Sequence, residues 1–205
     1  MSANRHEHWQ DLWRQHAPSQ LSWHQEHADR SLALITASLN DLDAPMIDVG
    51  GGDSPLPGEL LGRGYTDLTV LDIAEAALAQ GRCRLGSRAG DVTWVAGDVT
   101  RFAPQRSYQL WHDRAVFHFL TEPTERDRYT AAAAASIAPG GWLVIATFAL
   151  DGPDHCSGLP VQRYSTSSLA EALADGFRLF DSTSEQHPTP GGPVQSFLYG
   201  RFKRV

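Results

Sequence analysis

The chain has 205 residues, a mass of 22.5 kDa and a formal charge of −7, with a pI near 5.6. That length suits one domain with a small extension, and an apolar fraction of 41% is enough to fold it. An acidic balance argues against nucleic acid as the main partner, because duplex binders carry a basic footprint. The polar first residues, Met1 to His8, and the lack of a long apolar run argue against a signal peptide and a membrane span. Cys83 and Cys156 form no disulfide framework and no cysteine-based zinc site, so the expected compartment is the cytosol.

In chain order, residues 6–17 predict a helix with Trp9 and Trp13 one turn apart, and 28–40 a second helix with an apolar stripe. The run 45–49 predicts a buried strand ending in glycines. A helix over 54–63 follows, with Ser54 as N-cap and Pro55 at its first position. Strands at 67–73, 92–96, 108–112 and 141–149 alternate with helices at 74–85 and 124–137. The last of these strands is apolar almost throughout, as a strand covered on both faces should be. Beyond residue 150 a loop over 151–163 leads to a short helix at 167–175 capped by Ser165. Strands near 177–184 and 195–203, joined by a Gly/Pro-rich turn, predict an antiparallel hairpin. The expectation is an α/β, Rossmann-like, seven-stranded and mostly parallel sheet, with helices on both faces. Its boundaries are 45–205 for the sheet domain and 1–44 for an N-terminal helical extension or lid.

The turn Asp48-Val49-Gly50-Gly51-Gly52-Asp53-Ser54 joins a strand to a helix. Glycine permits positive φ and close backbone approach to a ligand, although a tight turn alone would use the same residues. Asp72 stands 20 positions beyond Gly52, at a strand end where an acid can accept from ribose hydroxyls. Asp98 follows the next strand, where an adenine amino group could donate, although a lone Asp after a strand is more often a turn residue or cap. Dinucleotides and S-adenosylmethionine share this layout. Pro55 occupies the third glycine position of the dinucleotide fingerprint, which favours the sulfonium nucleoside.

Ile47 to Gly52, Val70-Leu71-Asp72-Ile73, Gly97-Asp98-Val99 and Ala138-Pro139-Gly140-Gly141 resemble the motifs of class I S-adenosylmethionine-dependent methyltransferases over residues 45–205. Within that class, three segments resemble the thiopurine S-methyltransferase-like, small-thiol group. They are Trp9-Gln10-Asp11-Leu12-Trp13 with Trp23-His24-Gln25, then Trp111-His112-Asp113-Arg114-Ala115, then Gly158-Leu159-Pro160-Val161. Here His112 is inserted and Ala115 stands for glycine. The resemblance implies S-adenosyl-L-methionine as cofactor, with S-adenosyl-L-homocysteine as product. It implies cofactor contacts from Trp13, Trp23, Gln25, Asp48, Gly50, Gly51, Gly52, Asp72, Ile73, Asp98, Val99 and His112. It also implies a small-molecule acceptor near Arg114.

Candidate catalytic residues are Asp113, Arg114 and His118. A guanidinium could stabilise a thiolate or hold a carboxylate, Asp113 could orient it, and an imidazole could act as base. The plain alternatives are an Arg114–Asp113 ion pair and a core histidine. No residue set predicts a metal site. The expected activity is methyl transfer to a small nucleophile, foremost a thiol. Protein-lysine methylation, small-molecule O- or N-methylation, and a non-catalytic cofactor-binding module stay open.

Overall fold

The computed structural model describes residues 2–205, with side chains from Arg5 onward. Three short runs rich in apolar and β-branched residues, β1 (Met46–Val49), β2 (Leu68–Asp72) and β3 (Val92–Ala96), form the parallel centre with the more polar β4 (Tyr108–Arg114). β5 (Ile137–Phe148) extends that parallel set beside β4, and β9 (Val194–Arg204) and β8 (Phe177–Pro188) close it antiparallel. The strand order is β3-β2-β1-β4-β5-β9-β8, with the separate pair β6 (His155–Cys156) and β7 (Leu159–Pro160) above it. The connections run outward from β1 in both directions. The crevice at the carboxyl ends of β1 and β4 is therefore the ligand position of an open α/β sheet.

Strand alternation sorts the side chains into two core layers. Ile47, Leu71, Trp111 and Ile145 pack beneath α5 (Pro123–Ser136) and α6 (Thr166–Ala172), with Tyr129 and Leu169. Met46, Val70, Leu110 and Val144 pack beneath α2 (Asp29–Ser38) and α3 (Leu56–Gly62), with Leu32, Ile35 and Leu60. The same period sends Asp48 and His112, which are register partners, toward α2, and Asp113 toward α5.

The sequence expectation and the structure agree on the class of sheet, the hairpin and the flanking helices. They differ at element ends. The first helix, α1, spans Ser2–Gln15, and α4 spans Glu75–Leu85. β4 runs two residues past its expected end, and β5 starts before Pro139. Helix α3 begins at Leu56, whose N–H is taken by Ser54 Oγ at 3.2 Å, so Ser54 caps from one position further back. The 151–163 loop is not irregular throughout, because Ser157 (φ +52°) and Gly158 (φ +76°) turn it into the β6–β7 pair. Among the described residues no helix is long and apolar enough to cross a membrane.

Candidate active site

Two adjoining cavities open at the carboxyl ends of β1, β2 and β4. The first encloses about 880 Å³ out to its mouth and the second about 580 Å³. Gly50, Trp13, Trp23 and Arg114 face both.

The glycine turn is built for close approach. Gly50 sits at φ +69°, its N–H donates to Leu71 O at 2.7 Å, and a Cβ there would lie 2.1 Å from Val116 Cγ2. A Cβ on Gly51 would lie 2.5 Å from Asp48 Oδ2. Gly52 lies behind the turn, where a Cβ would meet Asp72 Oδ2 at 3.0 Å and Ala77 at 3.1 Å, so it serves packing rather than the cavity wall. Arg84 Nε and Nη2 each donate to the Asp53 carboxylate at 2.6 Å, tying the turn to α4.

Asp72, Ile73, Asp98 and Val99 line the first cavity. Asp72 accepts the Ala74 N–H at 2.8 Å, and burial above all, with the nearby Asp48 charge, pushes its carboxyl up to about 7. Asp98 accepts from Thr100 N at 2.9 Å and Thr100 Oγ1 at 2.8 Å. It is thus a cap and a cavity residue at once.

The second cavity is lined by Gln25, Ser31, Asp48, Gly51 and His112 among others. His112 Nδ1 donates to Asp48 Oδ1 at 2.7 Å, and its Nε2 lies 2.9 Å from Ser31 Oγ. Asp48 Oδ2 is buried without a partner.

Toward the other end, the first cavity becomes an aromatic box. Trp9 meets Trp23 edge-on at 5.7 Å and Phe119 at 4.9 Å, and Phe148 and Cys156 complete the wall. Arg114 enters this box. Its Nε donates to Tyr199 Oη at 3.0 Å, its Nη1 donates to Trp23 O at 3.2 Å, and its carbon lies 4.4 Å from the Phe197 ring centre. Its Nη2 is buried without a partner, and among the described residues no carboxylate forms an ion pair with it. Tyr199 Oη in turn donates to Glu185 Oε2 at 3.0 Å. The Arg114–Asp113 pair considered from sequence does not form. Cys156 lies in the wall with its thiol pushed up by burial.

Asp113 and His118 do not reach either cavity. Asp113 is fully buried and accepts from Val116 N (2.8 Å), Phe117 N (3.1 Å) and Tyr129 Oη (2.6 Å). Burial raises its carboxyl to about 6 against those bonds. It braces the turn through Ala115 (φ +78°), which carries Arg114. His118 Nδ1 accepts the Phe148 N–H at 3.2 Å, and its ring packs against Phe119 and Phe148. Burial, helped by Arg114, lowers it to about 3, which leaves a neutral core imidazole. The catalytic expectation for both is corrected to a structural placement.

Sequence reasoning missed Ser31, Tyr199, Glu185 and His187. The last donates from Nε2 to Ser22 O at 2.9 Å and holds the roof segment. The β8–β9 register, which sets Glu185 opposite Phe197 and His187 opposite Gln195, brings the three hairpin residues here and leaves no local signal in the sequence. Among the described residues no cluster could hold a metal ion.

The residues present fit S-adenosylmethionine. Asp48 Oδ2 is a buried carboxylate oxygen without a partner, which a cationic donor would satisfy, and Asp72 lines the first cavity beside a turn that admits no Cβ at Gly50. The methyltransferase domain family matches residues 46–141. The mouse (Mus musculus) eEF1A lysine and N-terminal methyltransferase is 21% identical over 206 residues, covering 97% of this chain. The chain spans 29% of that relative's length. A structure solved for the conversion of a disulfide bond into a thioacetal group during echinomycin biosynthesis superposes with a TM-score of 0.79 at 19% identity. It covers 97% of this chain and 92% of its own. The 1,6-didemethyltoxoflavin-N1-methyltransferase of Burkholderia thailandensis, solved with S-adenosylhomocysteine, gives 0.71 at 22% identity over 99% of this chain and 85% of its own. The domain match over residues 46–141 and the strand order make the chain similar to S-adenosylmethionine-dependent methyltransferases, and the glycine turn with Asp48 and Asp72 fits their cofactor.

Proposed function

We propose that this chain transfers a methyl group from S-adenosylmethionine to a small nucleophile, with a thiol as the leading acceptor. The observation that carries the acceptor reading is Arg114, a guanidinium with a free nitrogen inside an aromatic box. In this reading Asp72 takes the ribose, Ile73 and Val99 flank the base, and Asp98 faces its amino group. Asp48 takes the ammonium, while Trp13, Trp23 and Gln25 cover the cofactor as part of the 1–44 extension. When bound, the cofactor supplies a methyl group already activated on a sulfonium. The chain therefore has to align the acceptor and exclude water. Trp9, Trp23, Phe119 and Phe148 exclude water, and Arg114 holds an acceptor as its anion.

The test is S-adenosylhomocysteine production with a panel of small thiols, beside matched alcohols and amines, from pH 6 to 9. Turnover of thiols alone, rising toward the thiol pKa, supports the reading. Turnover of amines or alcohols with no thiol turnover overturns it. Methylation of a protein lysine or N-terminus is the second reading. It is favoured by the mouse relative's activity and by the −7 charge, which suits a basic partner. Label from the methyl group entering proteins of a lysate, and not small molecules, would select it.

A further inference from the structure

His112 is an unusual neighbour for the first carboxylate of a nucleotide-binding turn. It stands opposite Asp48 in register on β4, on the face that alternation turns toward α2, and it is 4% exposed. Its two nitrogens are both committed: Nδ1 to Asp48 Oδ1 at 2.7 Å and Nε2 to Ser31 Oγ at 2.9 Å. Ser31, from the first turn of α2, is 1% exposed and also lies beside the Tyr199 hydroxyl. The imidazole is therefore fixed in position and plane by two elements of the fold. One oxygen of Asp48 is consumed, and the other, Oδ2, is left buried and without a partner, on a residue that lines the second cavity.

A free Asp48 carboxylate would swing between two orientations and would share its charge among neighbouring donors. Locked by His112, it presents one lone oxygen beside Gly51, whose missing Cβ leaves the space open. An unpaired buried carboxylate oxygen is costly, and a cationic donor completes it.

We propose that His112 is a positioning residue: acting through Asp48 Oδ2, it makes the second cavity select ligands that carry an α-ammonium group. The inference rests on the cofactor reading above and sharpens it. Selectivity for the amino-acid end resides in the Ser31–His112–Asp48 array, separately from the adenosine contacts at Asp72 and Asp98. In metal sites, outer partners that orient the ligating groups contribute about ten-fold or more to affinity, and the same logic applies to an oriented carboxylate.

The experiment compares the affinities of S-adenosylhomocysteine and 5′-methylthioadenosine, which keeps the adenosine and thioether but has no ammonium. His112→Phe is expected to weaken S-adenosylhomocysteine by about ten- to thirty-fold. It should leave methylthioadenosine within about two-fold, and His112→Gln, which keeps a donor for Asp48, should recover most of the loss. Because both act through one oxygen, His112→Phe placed on Asp48→Asn should cost no more than Asp48→Asn alone. Ser31→Ala should give a loss of about three-fold in the same direction, which keeps the test alive if the phenylalanine variant does not fold. Equal loss for both ligands, full additivity with Asp48→Asn, or no loss at all overturns the proposal. Failure of the unaltered protein to bind S-adenosylhomocysteine would remove the cofactor reading itself, and this inference with it.

Discussion

The two ends of the cleft are assembled in opposite ways. The nucleoside end comes from consecutive sequence: one glycine turn and the ends of β2 and β3, residues 48 to 99. The acceptor end is gathered from Trp9 on α1, Trp23 in the roof, Arg114 at the end of β4, Cys156 on β6, and Tyr199 and Phe197 behind them. A ligand surface made of consecutive strand ends follows from the sheet order and accepts little variation. One gathered from four distant segments can change any wall alone. In the proposed function the difference separates a constant task, holding the donor, from a variable one, choosing the acceptor.

That division can be broken by mutation. Gly50→Ala and Asp72→Ala attack the contiguous end. The first drives a methyl into Val116, and the second removes the buried acceptor of hydroxyl protons. Both are expected to lower S-adenosylhomocysteine affinity by about a hundred-fold or more, read by calorimetry. Arg114→Ala attacks the gathered end. It should lower turnover by about a hundred-fold while the same affinity stays within about three-fold. Equal losses in cofactor affinity from Asp72→Ala and Arg114→Ala would erase the distinction between the two ends.

A smaller effect sharpens the comparison through stability. Asp72 holds its proton to about pH 7 in the fold, whereas an unfolded aspartate releases it near the ordinary 3.8. Between these values the folded state binds the extra proton, so stability falls as pH rises and the full penalty is present above about pH 7. Asp72→Asn should therefore raise the Tm of the cofactor-free protein by several degrees at pH 8. The gain should vanish near pH 4, and the variant should still bind cofactor poorly. A Tm unchanged at pH 8 would show that the carboxylate is better solvated than its burial implies. The smallest expected effect is at Ala115, a non-glycine residue at φ +78°. Ala115→Gly should relieve about 1 kcal/mol of backbone strain, less the added chain entropy, in chemical denaturation.

The legibility of the sequence followed the same divide. Strands read well because β1, β2, β4 and β5 are buried on both faces and carry no competing signal. Gly50, Asp72 and Asp98 fall together on the first cavity because their spacing is dictated by one β-α-β step each. Asp113 and His118 misled because a charged or imidazole side chain after a strand suggests chemistry, while its direction depends on strand parity and on what lies above. Parity sent Asp113 to Tyr129, and the turn after Ala115 sent His118 into Phe148 and Phe197. Tyr199 and Glu185 were silent because only the hairpin register brings them beneath Arg114. Element ends drifted by a few residues, as they do wherever a strand is stabilised by a neighbour remote in sequence.

The His187 bond to Ser22 joins positions 165 apart, and Tyr199 reaches Arg114 from a strand later still. Synthesis runs from the N-terminus, so the roof leaves the ribosome well before the strands that hold it. Through that interval Trp13 can already pack on Ala74 and Ala77 of α4 and Trp9 on Phe119, but the segment that carries Trp23 lacks its His187 anchor at Ser22. The site therefore sets last, and a nascent chain halted before the hairpin would hold the nucleoside turn under an unanchored cover.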